Sequence, residues 1–176
     1  RDVDGIAAVT VSAVGTTGRI DFWSLDFEAE ACRLLCCADL DAPPIALVVL
    51  SQAGGEFMTM STHRAVFWRC AQDLLDGPWE LQFQDAEVSQ NPLTDTTCFT
   101  ALCFLPGHLQ LVLLGTSEGE VWIVDVDENQ ILSKLGIGDA QINSIACSAW
   151  PHFTCCSGQC LTLFELCWKD DELEAV

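Results

Sequence analysis

The residues best equipped for chemistry are soft metal ligands late in the chain: His152, Cys155, Cys156, Cys160 and Cys167. A zinc site needs such ligands to converge, usually from knuckles with two to four residues between cysteines. Cys156 and Cys160 have that spacing, but they flank Ser157-Gly158, a turn signal between two strand-like runs. Neighbouring strand residues point to opposite faces, so Cys155 and Cys156 cannot easily share one ion. The four cysteines are therefore expected to be buried thiols rather than part of a metal centre. Asp125-Val126-Asp127-Glu128-Asn129 imitates the start of a calcium loop, yet Gln130 and Gly136 stand where the sixth-position Gly and twelfth-position Glu must be. That segment reads as a strand-to-strand turn. His63 reads as a turn or capping residue with no diagnostic acid or nucleophile near it in sequence. The carboxylates of Glu28 and Glu30, Asp73 and Asp76, and Asp170-Asp171-Glu172 fall in polar connections, where solvation is the default and an acid/base role would need a pocket. No G-x-S-x-G and no phosphate-cradling G-x-x-x-x-G-K-S/T occurs. The expectation is a chain with no catalytic residues, no cofactor and no metal.

Charge narrows the partners. The 176 residues carry 26 Asp and Glu against 7 Lys and Arg, a net charge of −19. Binding nucleic acid requires a Lys/Arg footprint that releases counterions, and the only lysines are Lys134 and Lys169. Anionic membrane surfaces are disfavoured on the same ground. Half the residues are hydrophobic and the mean hydropathy is +0.30, so the chain is no disordered acidic tail. No run reaches the roughly 18–20 apolar residues of a membrane span. Asp2 and Asp4 break any signal-peptide pattern. Eleven cysteines, an odd number at irregular spacing and mostly inside apolar runs, argue against a disulfide framework and for a reducing cytosolic compartment.

The elements that would position these residues repeat. Four runs end in an aromatic or aliphatic anchor: Gly18–Trp23, His63–Trp68, Gly119–Val124 and Gln159–Phe164, with anchors Trp23, Trp68, Val124 and Phe164. Each is preceded by a second run (Ile6–Ala13, Glu56–Met60, Leu109–Gly115, Phe153–Ser157). Three have a third run ahead of that (Ile45–Leu50, Cys98–Phe104, Ile142–Ser148). A more polar run follows three anchors: Ala31–Cys37, Trp79–Gln84 and Gln130–Leu135. Gln52–Gly55, Leu105–His108 and Trp150–His152 supply tight connections between the first two runs. Four short strands, a to d, recurring at roughly 40–45 residues are the signature of a β-propeller blade. The predicted class is all-β, with blades over residues 1–168, an inserted polar loop at 85–97 and an acidic C-terminal extension at 169–176.

Gly115-Thr116-Ser117-Glu118-Gly119-Glu120-Val121-Trp122-Ile123-Val124-Asp125-Val126 resembles the turn and strand c of the WD-repeat family, with Val124 in place of the tryptophan. Phe164-Glu165-Leu166 is similar to a degenerate W-D-L, and Asp139–Ala146 to the family's entry into strand a. The family's G-H dipeptide before strand a is missing. Ser24, Arg69 and Glu165 follow the other anchors, so the family's His–Asp network does not carry over. Thr59–Trp68, the long Asp73–Thr97 segment, Cys98–Phe104 and Gly115–Gly119 resemble, in that order, the echinoderm microtubule-associated-protein-like group and WD-repeat proteins of cilia and flagella.

The resemblance implies a divergent partial propeller of about four blades, a piece of a larger protein, consistent with a start at Arg1 rather than Met. It also implies a non-enzymatic scaffold in a ciliary, flagellar or other microtubule-associated assembly, whose partners are other proteins rather than nucleic acid or membrane. Tubulin is itself acidic, so contact through a partner protein is expected. The other readings are a WD-repeat adaptor in cytosolic trafficking or signalling and, more remotely, a propeller-based hydrolase. Trp79, Trp150 and Trp168 are the candidates for partner contact, since interfaces favour Trp.

Overall fold

The computed structural model describes residues 6–26, 28–51, 55–72, 77–86, 97–105, 111–169 and 172–175. Every regular element among them is a β-strand. β1 (Ile6–Val14), β2 (Thr17–Asp26) and β3 (Ala31–Leu40) form the first sheet. β4 (Ala46–Ser51), β5 (Glu56–Met60), β6 (Ala65–Gln72) and β7 (Trp79–Asp85) form the second. β8 (Phe99–Leu105), β9 (Leu111–Thr116), β10 (Glu120–Asp125) and β11 (Gln130–Gly136) form the third. β12 (Ile142–Ala149), β13 (His152–Ser157), β14 (Cys160–Lys169) and β15 (Glu172–Ala175) form the fourth. In each sheet the strands lie side by side in chain order. These are the four-stranded blades that the repeat pattern predicts, the first represented by its strands b to d.

Observed strand ends differ from the expected ones by a few residues, and two differences have clear causes. β3 runs on from Cys37 to Leu40 because Ala38, Asp39 and Leu40 continue to pair, with Ile20, Arg19 and Gly18. Residues 169–176, expected as an acidic extension, contain β15, the fourth strand of the last blade. Its Glu-Leu-Glu-Ala alternation buries Leu173 and pairs with β14 from Leu166↔Ala175 to Lys169↔Glu172. The sequence counts as acidic, yet its period is that of a half-buried strand. Of the 85–97 loop, Asp85, Ala86 and Thr97 are described, the last two buried. Residues 87–96 lie outside the described residues, as do Asp73, Asp76, Asp170, Asp171 and most of the Gln52–Gly55 and Leu105–His108 connections.

The chain divides into two compact units, Arg1–Ser61 with Val66–Gln84, and Thr62–Ala65 with Asp85–Val176. In the first, Ile20 and Phe22 of β2 pack with Phe57 of β5 and Val66, Trp68 and Cys70 of β6. Phe57 stacks between Phe22 (centroids 6.2 Å apart) and Trp68 (6.1 Å). In the second, Leu113, Val121 and Ile123 pack with Ile145, Phe153, Cys155 and Leu166. The same two positions of strand c, one and three residues before the anchor, thus supply the contact in each unit. Within each unit, strand c residues of that parity on one blade meet the next sheet, which receives them partly through strand c residues of anchor parity.

Local devices also repeat. The c–d pairing shifts register between Phe22 and Trp23 in the first blade and between Ile123 and Val124 in the third. Each bulge lies immediately before an anchor, which increases local strand twist there. The Trp23 indole N–H donates to Thr10 Oγ1 and that of Trp68 to Thr59 Oγ1, both at 2.8 Å, so two anchors are pinned to strand b. Asp26 Oδ1 accepts from the N–H groups of Glu28 and Ala29. Asp125 Oδ1 accepts in the same way from Asp127 and Glu128. Both turns end on a residue of positive φ, Glu30 (50°) and Asn129 (51°), before strand d begins. The calcium-loop lookalike is therefore an Asx turn with a counterpart in the first blade. Gly119, at φ 80°, closes the turn before β10, and a Cβ there would meet the carbonyl oxygens of Gly138 and Ala140.

A candidate protein-interaction face on the fourth blade

The chemistry-capable residues do not assemble. His152 opens β13, 3.9 Å from Glu165 across the strand pair, and both are exposed. Cys155 is buried, and its thiol is pushed up by desolvation. Cys156 and Cys167 are half-buried. Cys160, expected to be buried, is exposed because it opens β14 directly after the hairpin turn. Among the described residues no three His, Cys, Asp or Glu side chains are gathered to hold a metal ion. His63 is exposed, with the Cys98 thiol 4.0 Å from its ring nitrogens. Glu28 and Glu30 are exposed in the Asp26 turn.

Two thiol pairs emerge that sequence reading did not find. Cys36 and Cys70 Sγ atoms are 3.3 Å apart, and the Cys103 side chain, whose thiol lies 3.4 Å from the Phe104 carbonyl oxygen, interacts with that of Cys147. The members of each pair belong to different sheets, so no sequence spacing relates them. Donation from the Cys147 thiol stabilises the Cys103 thiolate and brings Cys103 down to about 7, while Cys147 is pushed up. Cys36 is lowered in the same way by its bond to Cys70, and Cys70 is raised.

The repeat exposes a different kind of site. The residue before each anchor is Phe22 at 1% exposure, Phe67 at 8%, Ile123 at 0% and Leu163 at 64%. Three before the anchor stand Ile20, Ala65 and Val121, all at 0%, and Leu161 at 74%. The fourth blade thus keeps apolar side chains where the other three bury theirs. Leu163 lies opposite Thr154, which lies opposite Ala146; Leu161 lies opposite Cys156, which lies opposite Ser144. The Thr154 hydroxyl donates to the Ala146 carbonyl at 3.2 Å. These six positions span three strands without a charge, in a chain of net charge −19. Glu165 and His152 border them. The equivalent positions of the first and third blades pack against the following sheet, so the face has the composition of a sheet-to-sheet contact.

Of the three candidate tryptophans, Trp79 and Trp150 are half-buried and pack against the cores of their own units. Trp168, near the far end of β14, is exposed.

No protein-family model matches the chain, and no curated protein matches it. Solved structures do. The chain is similar to the Myceliophteria thermophila Cps50 (Swd1) β-propeller domain, with 12% identity, a TM-score of 0.64, and coverage of 89% of this chain and 50% of that one. It is similar to Chaetomium thermophilum Sqt1 with 16% identity, a TM-score of 0.66, and coverage of 93% and 41%. The computationally designed Ika4 protein matches with 13% identity, a TM-score of 0.58, and coverage of 90% and 91%. The chain therefore spans half or less of the two natural structures and most of the designed one. At these identities the likeness is one of fold, and the fold is the β-propeller blade array that the WD-repeat resemblance implies.

Proposed function

We propose that this chain is a non-enzymatic protein-interaction scaffold, whose fourth blade offers its apolar face to a further β-sheet of the kind that the first and third blades receive. The observation that carries the reading is the pair Leu161 and Leu163, exposed where Val121 and Ile123 of the third blade are fully buried. Rigid antiparallel sheets hold these side chains in fixed register, so binding requires little ordering of the surface. The test is a Leu161→Glu/Leu163→Glu variant in an affinity capture from cells that express the protein. Loss of a specific set of partners with an unchanged circular dichroism spectrum supports the reading. An unchanged partner set overturns it.

The narrower proposal is a structural role in a ciliary or flagellar axoneme or another microtubule-associated assembly. It is supported by the ordered resemblance of Thr59–Trp68, Cys98–Phe104 and Gly115–Gly119 to proteins of that kind. With a net charge of −19, contact with acidic tubulin runs through an intermediary protein. Imaging of the tagged full-length protein tests the address: signal along the axoneme supports it, and diffuse or vesicular signal overturns it. Strong salt-insensitive co-sedimentation with bare microtubules would remove the intermediary.

A further inference from the structure

Cys36 lies on β3, the last strand of the first sheet, and Cys70 on β6 of the second, within one compact unit. Their sulfurs are 3.3 Å apart, so an S–S bond requires an approach of about 1.3 Å. Neither strand is free to drift. Cys36 is held opposite Phe22 in the β2–β3 ladder, and the Cys70 N–H donates to the Gly55 carbonyl at 3.1 Å. The two thiols differ in access: Cys36 is half-buried and Cys70 is 4% exposed.

We propose that Cys36 and Cys70 form a redox-active dithiol, which a low-molecular-weight disulfide such as oxidised glutathione converts into a disulfide joining the first two blades. The order of steps follows from access and acidity. The Cys36 thiolate, stabilised by the Cys70 S–H, attacks one sulfur of the oxidant and expels a glutathione thiolate. This leaves a mixed disulfide on Cys36. The Cys70 thiol, no longer facing a thiolate, gives its proton to the expelled thiolate and attacks the Cys36 sulfur, expelling the second glutathione thiolate, which takes up a proton from water in place of the one Cys36 released. In sum, two cysteine thiols and one oxidised glutathione become one protein disulfide and two reduced glutathiones. Cys37, which pairs with Asp21 and points to the opposite face of β3, takes no part.

The test uses the whole chain, reduced, freed of reductant and treated with oxidised glutathione. Remaining thiols are alkylated under denaturing conditions, and the products are mapped by fragment mass spectrometry. The expected product has Cys36 linked to Cys70, two hydrogens lighter than the reduced pair, with Cys37 alkylated. In a Cys70→Ser variant, oxidation stops at a glutathione adduct on Cys36; a Cys37→Ser variant behaves like the parent. Alkylation of both Cys36 and Cys70 in the treated parent chain, a persistent glutathione adduct there, or a link from Cys36 to another cysteine overturns the proposal. The parent map decides even if a variant fails to fold.

Discussion

At the residue scale, the anchors and the positions beside them do different work. Trp68 combines burial, a stack on Phe57 and a 2.8 Å hydrogen bond to Thr59. Trp68→Ala should destabilise the first unit by about 3–5 kcal/mol, measured by denaturant unfolding. Thr59→Val keeps the shape but strands a buried indole N–H, at a cost of about 1–3 kcal/mol. The thiols make a pH prediction. Alkylation of Cys103 should accelerate as pH passes about 7, before an ordinary thiol ionises near 9.0, and Cys147→Ser should weaken that advantage only in part because a hydroxyl also donates. Because the folded-state value lies below the unfolded one, the unfolded chain holds this proton more tightly, and Cys103 adds stability as pH rises through that window. Cys36 and Cys103 were legible only as small apolar residues. What changes their chemistry is a partner on another sheet, which periodicity within one strand cannot reveal.

At the element scale, the sequence disclosed more. The expected run Glu56–Met60 coincides with β5, and the four anchors fall on four strands c, because turn residues and apolar runs mark a short strand well. β15 was hidden by its charge, and the bulges before Trp23 and Val124 were hidden because an extra residue in strand d leaves no mark on composition. The exposed face was legible only as a pattern: Leu161 and Leu163 look like core, and only comparison of equivalent positions in the structure shows them uncovered. A paired substitution separates the two environments. Ile123→Glu, in the third blade, should prevent stable folding of the second unit, whereas Leu163→Glu should change its unfolding midpoint little and reduce binding of an apolar dye. Close packing between sheets has its own test. A Cβ at Gly115 would stand 2.5 Å from Ile142 Cγ2, so Gly115→Ala should cost about 1–3 kcal/mol in the second unit and leave the first unit's transition unmoved.

At the scale of the whole molecule, the charge of −19 and a pI near 4.1 predict no retention of duplex DNA in a low-salt filter assay and a solubility minimum near pH 4. The placement of charge has a local meaning: the six face positions of the fourth blade carry none, and Glu165 borders them. The strict neighbour-to-neighbour order of strands within each sheet reaches further, into the time course of synthesis. Each hairpin can close as soon as its two strands leave the ribosome, since pairing waits for nothing distant. The apolar face of a finished blade must wait for the next one, roughly 40–45 residues later, an interval of about 2–9 s at ordinary elongation rates. During it, Ile20 and Phe22 are as bare as Leu161 and Leu163 are in the folded chain. Ribosome pausing between β3 and β5 should therefore lengthen the nascent chain's association with chaperones, and pausing inside a hairpin should matter far less.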